Sequence, residues 1–108
     1  MPNVTKERRR AQRYPLVLTA EFIVLGTRTK LNGRASDIGR FGCYIDTLNP
    51  SLAGTPLELR LSHGGETFQT NARVVFVSPG LGMGVAFLDT RANQQELLDR
   101  WLAAGVVS

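Results

Sequence analysis

Four arginines, Arg8, Arg9, Arg10 and Arg13, fall within the six residues RRRAQR. With Lys6, and against Glu7, they account for the whole formal net charge of +4; the rest of the chain balances eight basic side chains against eight acidic ones. A guanidinium presents a planar fork of donors that pairs bidentately with phosphate. The same fork matches the O6 and N7 acceptors of guanine, and its face can stack on a base. A charge run of this kind is often only a solvated tail. Here Arg13 stands just before Tyr14-Pro15 and the first apolar run, so it is anchored near whatever folds next. Arg9 lies four residues upstream, within reach of the same ligand. A second cluster is DIGRFG, Asp37 to Gly42. It reads first as a tight turn, with Asp37 capping it through its own backbone. Gly39 and Gly42 would permit positive φ and close approach of a ligand. The Asp37 carboxylate could accept from guanine N1–H and N2–H₂, donors that an arginine fork cannot satisfy.

Catalytic chemistry is poorly supplied. General acid–base catalysis most often uses histidine, and the only one is His63, beside Gly64-Gly65, where simple exposure is expected. The single Cys43 excludes an intramolecular disulfide and reads as a small buried apolar residue. There is no serine elbow, no metal-ligand cluster and no phosphate-binding loop opening a helix. GLGMG opens a strand pattern and reads as turn chemistry. The expectation is therefore a chain that is not an enzyme, with no metal and no cofactor. No apolar run is long enough for a membrane span, and nothing resembles a secretory signal, so a cytoplasmic location is expected.

The elements that must position these residues are mostly strands. Residues 1–13 are polar and unpatterned, and read as a flexible basic leader; one domain follows, over 14–104. In PLVLTAEFIVLG, Leu16, Leu18, Ala20 and Phe22 alternate with outward Thr19 and Glu21. TKLNGRAS and CYID are shorter strand candidates, and LNPSLAGTP is a loop. PLELRLSH sets Leu57, Leu59 and Leu61 against Glu58, Arg60 and Ser62. HGGE is a hairpin turn. TFQTNARVVFV then alternates Phe68, Thr70, Ala72 and Val74 against Gln69, Asn71 and Arg73, and MGVAFLD ends the strand set. The period changes in NQQELLDRWLAAG, where Leu97, Leu98, Trp101 and Leu102 share a helical face. Asn93 with Glu96 resembles a capping box, and Gly105 suits a stop. About six strands and one terminal helix imply a mainly β domain, a small barrel or sandwich.

An R-x-x-x-R pair followed about two dozen residues later by a D-x-S-x-x-G-like turn resembles the PilZ domain family. The likeness runs from Arg8 to about Leu102 and includes the GMGVAFLD strand. It implies a six-stranded antiparallel β-barrel with a C-terminal α-helix, and a bacterial receptor for cyclic di-GMP. It assigns Arg9 and Arg13 to the phosphate and guanine edge of the ligand, since neither Arg8 nor Arg10 has an arginine four residues on. Arg8 and Arg10 are candidates for a further phosphate contact. Asp37 takes the acidic position of the second motif and Gly42 its closing glycine. The chain departs from the family at Gly39, where the motif has serine. Losing a hydroxyl hydrogen bond costs about 0.5–1.5 kcal/mol if neutral and about 1.5–3 if charged, or roughly twofold to 150-fold in affinity. That departure motivates an alternative, a PilZ-like protein-interaction adaptor with weakened or lost nucleotide binding. Either reading expects a downstream protein partner and no membrane insertion. Nucleic-acid binding by the basic leader is the least favoured, because the rest of the chain is neutral.

Overall fold

The computed structural model describes residues 18–103. Strands β1 (Leu18–Val24), β2 (Thr29–Ser36), β3 (Gly42–Asp46), β4 (Pro56–His63), β5 (Glu66–Ser78) and β6 (Gly82–Leu88) precede helix α1 (Ala92–Ala103). All pairings are antiparallel, in the closed order β1-β2-β3-β6-β5-β4, with β4 returning to β1. Closure leaves no free edge among these strands, so their ladder groups are used within the chain. This is the six-stranded barrel with a C-terminal helix that the sequence resemblance implies.

The strand patterns explain the closure. Leu18, Ala20 and Phe22 on β1, Leu57, Leu59 and Leu61 on β4, and Phe68, Ala72 and Val74 on β5 are buried together inside the barrel. Thr70 is the one buried polar residue among those described. Its hydroxyl lies 3.2 Å from the Leu88 carbonyl oxygen and 2.8 Å from Thr90 Oγ1, which satisfies it. Between β4 and β5, Gly64 and Gly65 have φ of 58° and 84°, the doubly positive geometry of a type I′ hairpin. Between β5 and β6 the register shifts between Val74 and Phe76. The bulge leaves Val75 outside the ladder count and turns Phe76 outward as well.

Helix α1 contributes Leu97, Leu98 and Trp101 to the same core as the barrel strands, with Leu102 packed beside them. It is tied to the start of β5. Trp101 Nε1 donates to Glu66 Oε1 at 3.2 Å, and Arg100 Nη2 pairs with Glu66 Oε2 at 3.1 Å. Gln94 Oε1 accepts from the Gln69 N–H at 2.7 Å, extending the ladder beyond the last β5–β6 pair, Asn71 with Leu88.

Two expectations at this end are corrected. The helix begins at Ala92, and the Arg91 carbonyl accepts the Gln94 and Gln95 N–H groups, so Asn93 lies within the first turn and forms no capping box. Docking of Gln94 onto β5 sets the helix start in place of a side-chain cap. His63 is half-buried instead of simply exposed, its ring 5.9 Å from Trp101 in an edge-on contact, because the helix folds back over the β4–β5 hairpin. Gly105 and the 13/14 boundary between leader and domain lie outside the described residues.

Candidate functional site

The turn 37–41 joins β2 to β3 and opens onto the outer face of β3, β6 and β5. A cleft of about 280 Å³ lies there, with Asp37, Gly39, Arg40 and Phe41 of the turn on one side and Phe76 of β5 on the other. Its floor is a row of small outward positions: Gly42 opposite Ala86, and Gly84 opposite Tyr44. Phe76 stands on the other side of Gly84, so Phe76, Gly84 and Tyr44 form one cross-strand row. The Phe76 and Tyr44 rings meet over it with centroids 6.1 Å apart and planes 30° from parallel. A Cβ on Gly84 would run into the Phe76 ring, and one on Gly82 would overlap the Ile45 carbonyl oxygen and lie 2.7 Å from Tyr44 Cε2 and its hydroxyl oxygen. Gly84 is therefore what lets the Phe76 ring lie down on the barrel wall, while Gly82 makes room both for the β3 backbone and for Tyr44. Phe41 and Phe76 remain 72% and 53% exposed, which leaves aromatic faces open to a planar ligand.

The turn itself is closed by backbone bonds. The Gly39 N–H donates to the Gly42 carbonyl at 2.9 Å, and the Phe87 N–H to the Phe41 carbonyl at 2.9 Å. None of the side-chain hydrogen bonds among the described residues involves the Asp37 carboxylate, so the expected cap of the turn is not among them. The positive φ of the turn falls on Asp37, at 51°, and not on Gly39 or Gly42. Aspartate tolerates this left-handed conformation better than most side chains. Gly42 is needed for another reason. A Cβ there would overlap the Val85 carbonyl oxygen, so the strand β6 backbone, with no ligand involved, already excludes a side chain.

Of the residues singled out from sequence, Asp37, Gly39 and Gly42 are brought together around this cleft, with Asp37 exposed and Gly39 buried. Arg8, Arg9, Arg10 and Arg13 lie outside the described residues. Sequence reasoning passed over Arg40 and Phe76. Arg40 was hidden inside a motif read for its aspartate and glycines. Phe76 was hidden by the β5 alternation, which would turn it inward; only the bulge reverses it. Cys43 is buried within β3, and burial pushes its thiol far above the ordinary range, so it is no nucleophile.

Two other hollows lie away from this turn among the described residues. One of about 180 Å³ lies between β5 and the first turn of α1, where Gln69 Nε2 donates to Glu58 Oε2 at 3.1 Å and the Gln69 N–H to Gln94 Oε1 at 2.7 Å. Another is a shallow outer face of β1 and β4, where Glu21 pairs with Lys30 at 3.1 Å and Arg60 at 3.7 Å. Among the described residues no group of three histidine, cysteine or acidic side chains could hold a metal ion. No described helix is long and apolar enough to cross a membrane.

A closed barrel with an aromatic cleft beside a polar turn defines a small β-barrel domain with a ligand-sized cleft on its surface. The family model for the PilZ domain matches residues 7–104, and the chain belongs to that family. No curated protein matches the chain. Among solved structures it is similar to the PilZ domain of CeSA from a cellulose-synthesizing bacterium, with 23% identity and a TM-score of 0.67, covering 88% of this chain and 97% of that one. It is also similar to the PilZ domain of YcgR from Escherichia coli, a structure with cyclic di-GMP, with 18% identity, a TM-score of 0.73 and 90% of both chains covered. At these identities the two structures speak for the fold.

Proposed function

We propose that the chain is a cyclic di-GMP receptor, with the ligand held against the cleft between the Asp37–Gly42 turn and the Phe76–Tyr44 platform. The observation that carries this reading is the meeting of the second PilZ motif with open aromatic faces in one cleft of a member of that family. Asp37 supplies a carboxylate for the guanine N1–H and N2–H₂ edge, and the rings supply a surface on which a base stacks. Arg9 and Arg13 would close on the ligand from the N-terminal segment, with Arg8 or Arg10 as a further phosphate contact. Two phosphodiesters need cationic partners, which the net charge of the N-terminal residues supplies. Ligand-dependent docking of that segment would present a new surface to a protein partner. Calorimetric titration with cyclic di-GMP tests the reading, with Arg13→Ala and Asp37→Asn alongside. Asparagine keeps the left-handed backbone at position 37 and removes only the charge. Binding weakened by each variant is expected. No heat at high micromolar ligand overturns the receptor, and unchanged affinity in both variants overturns the site.

A second reading, a protein-binding adaptor without nucleotide, is favoured by Gly39 in place of the motif serine and by exposed Phe41, Val75 and Phe76. It requires that partner capture be the same with and without cyclic di-GMP. A strong ligand dependence refutes it.

A further inference from the structure

Arg40 is the only cation among the described residues that line the cleft. Its side chain is 58% exposed, and Nη2 lies 3.9 Å from Asp99 Oδ2 on α1, at the outer limit of an ion pair. The Asp99 carboxylate is already engaged on its own helix, where Oδ1 accepts from Gln95 Nε2 at 2.9 Å. The guanidinium is thus attracted by Asp99 without a short hydrogen bond to it. From that base it also borders the space in which a dianionic ligand would sit. A phosphodiester oxygen would give it the charge-assisted bond that Asp99 does not.

Resting on the receptor reading above, we infer that Arg40 is a further ligand-binding residue, and that Asp99 competes with the ligand for it. The turn and α1 are then coupled. With the site empty, Arg40 leans toward the helix; with the site filled, it turns to the phosphate and leaves Asp99 to solvent. The competition is reciprocal, because what draws Arg40 to the ligand must be subtracted from what holds it to Asp99. Ligand occupancy is thereby written on the exposed surface of α1 around Asp99, where a partner protein could read it.

A double-mutant cycle on the full chain tests this, with cyclic di-GMP titrated calorimetrically into wild type, Arg40→Ala, Asp99→Asn and the double variant. Arg40 is exposed and Asp99 half-buried at the surface of α1, and a thermal melt confirms the folded state of each of the four proteins. Arg40→Ala is expected to weaken binding about tenfold to a hundredfold, as for loss of a charge-assisted bond. Asp99→Asn is expected to tighten it by up to about fivefold, the scale of an exposed ion pair. That gain should vanish in the Arg40→Ala background and shrink with added salt. A wild type that binds with Arg40→Ala unchanged overturns the ligand contact alone. Tightening by Asp99→Asn that persists without Arg40 overturns the competition alone. A wild type that gives no heat overturns the receptor reading and this inference with it.

Discussion

Gly42→Ala separates two roles for the closing glycine of the motif. On the sequence it is a place where a ligand approaches the backbone. In the fold the approach is made by β6. An added Cβ would overlap the Val85 carbonyl oxygen and lie 3.2 Å from its carbonyl carbon and 3.3 Å from Ala86 Cα. These are backbone atoms in the β3–β6 ladder, where Gly42 pairs with Ala86 and Cys43 with Val85. Neither can swing aside as a side-chain tip could. Relief requires the two strands to part, in a barrel where each strand is held on both sides. Overpacking of this kind costs about 1–3 kcal/mol, and a strained or lost ladder hydrogen bond adds about 1 kcal/mol. A total of about 2–4 kcal/mol corresponds to a melting temperature lower by roughly 8–30 °C, at about 4–8 °C per kcal/mol for a domain of this size. Thermal unfolding of the ligand-free variant, followed by circular dichroism, measures it. A ligand-free Gly42→Ala protein that melts within about 3 °C of wild type would refute the steric reasoning. Loss of ligand affinity alone would then restore Gly42 to a ligand role.

Three other outcomes follow from the packing. The Arg100 guanidinium, and next the Trp101 indole N–H, hold the Glu66 carboxyl below its usual pKa; a folded-state pKa that is lowered contributes stability above the ordinary carboxylate range and loses it as pH falls through the folded value. Glu66→Gln should therefore flatten the acid limb of the stability profile, and acid should red-shift the fluorescence of the sole tryptophan earlier than the melt of the barrel; identical acid limbs in variant and wild type would contradict this. Cys43 should react with a disulfide reagent only as fast as the barrel opens, and at the rate of a free thiol once denaturant exposes it; fast reaction in the native state would show that β3 is not packed as described. Thr70→Val removes a buried hydroxyl that serves Leu88 and Thr90, and should cost about 1–2 kcal/mol in urea unfolding; an unchanged midpoint would mean that water replaces the bond.

Much of the fold was legible because its causes are local. The alternation in β1, β4 and early β5 needs only a pleated strand with one buried face, and Gly64-Gly65 needs only two positive φ values. The face Leu97, Leu98 and Trp101 follows from the helical period. What failed was also local in form but decided elsewhere. The Asn93 cap was overruled by Gln94 docking on β5, and the exposure of His63 by Trp101 arriving from the far end of the chain.

The motif residues Arg9, Arg13, Asp37, Gly39 and Gly42 can be chosen from the sequence, since spacing and residue type suffice to name them. The resemblance they carry names the family before any coordinates. Only the closed barrel decides what stands next to the turn. Register across β3, β6 and β5 sets Tyr44, Gly84 and Phe76 in one row, and a single bulge decides that Phe76 faces outward. The return of the helix brings Asp99 to Arg40. Such neighbours are dozens of residues apart in the chain, and no local propensity encodes a contact that exists only once the sheet has closed.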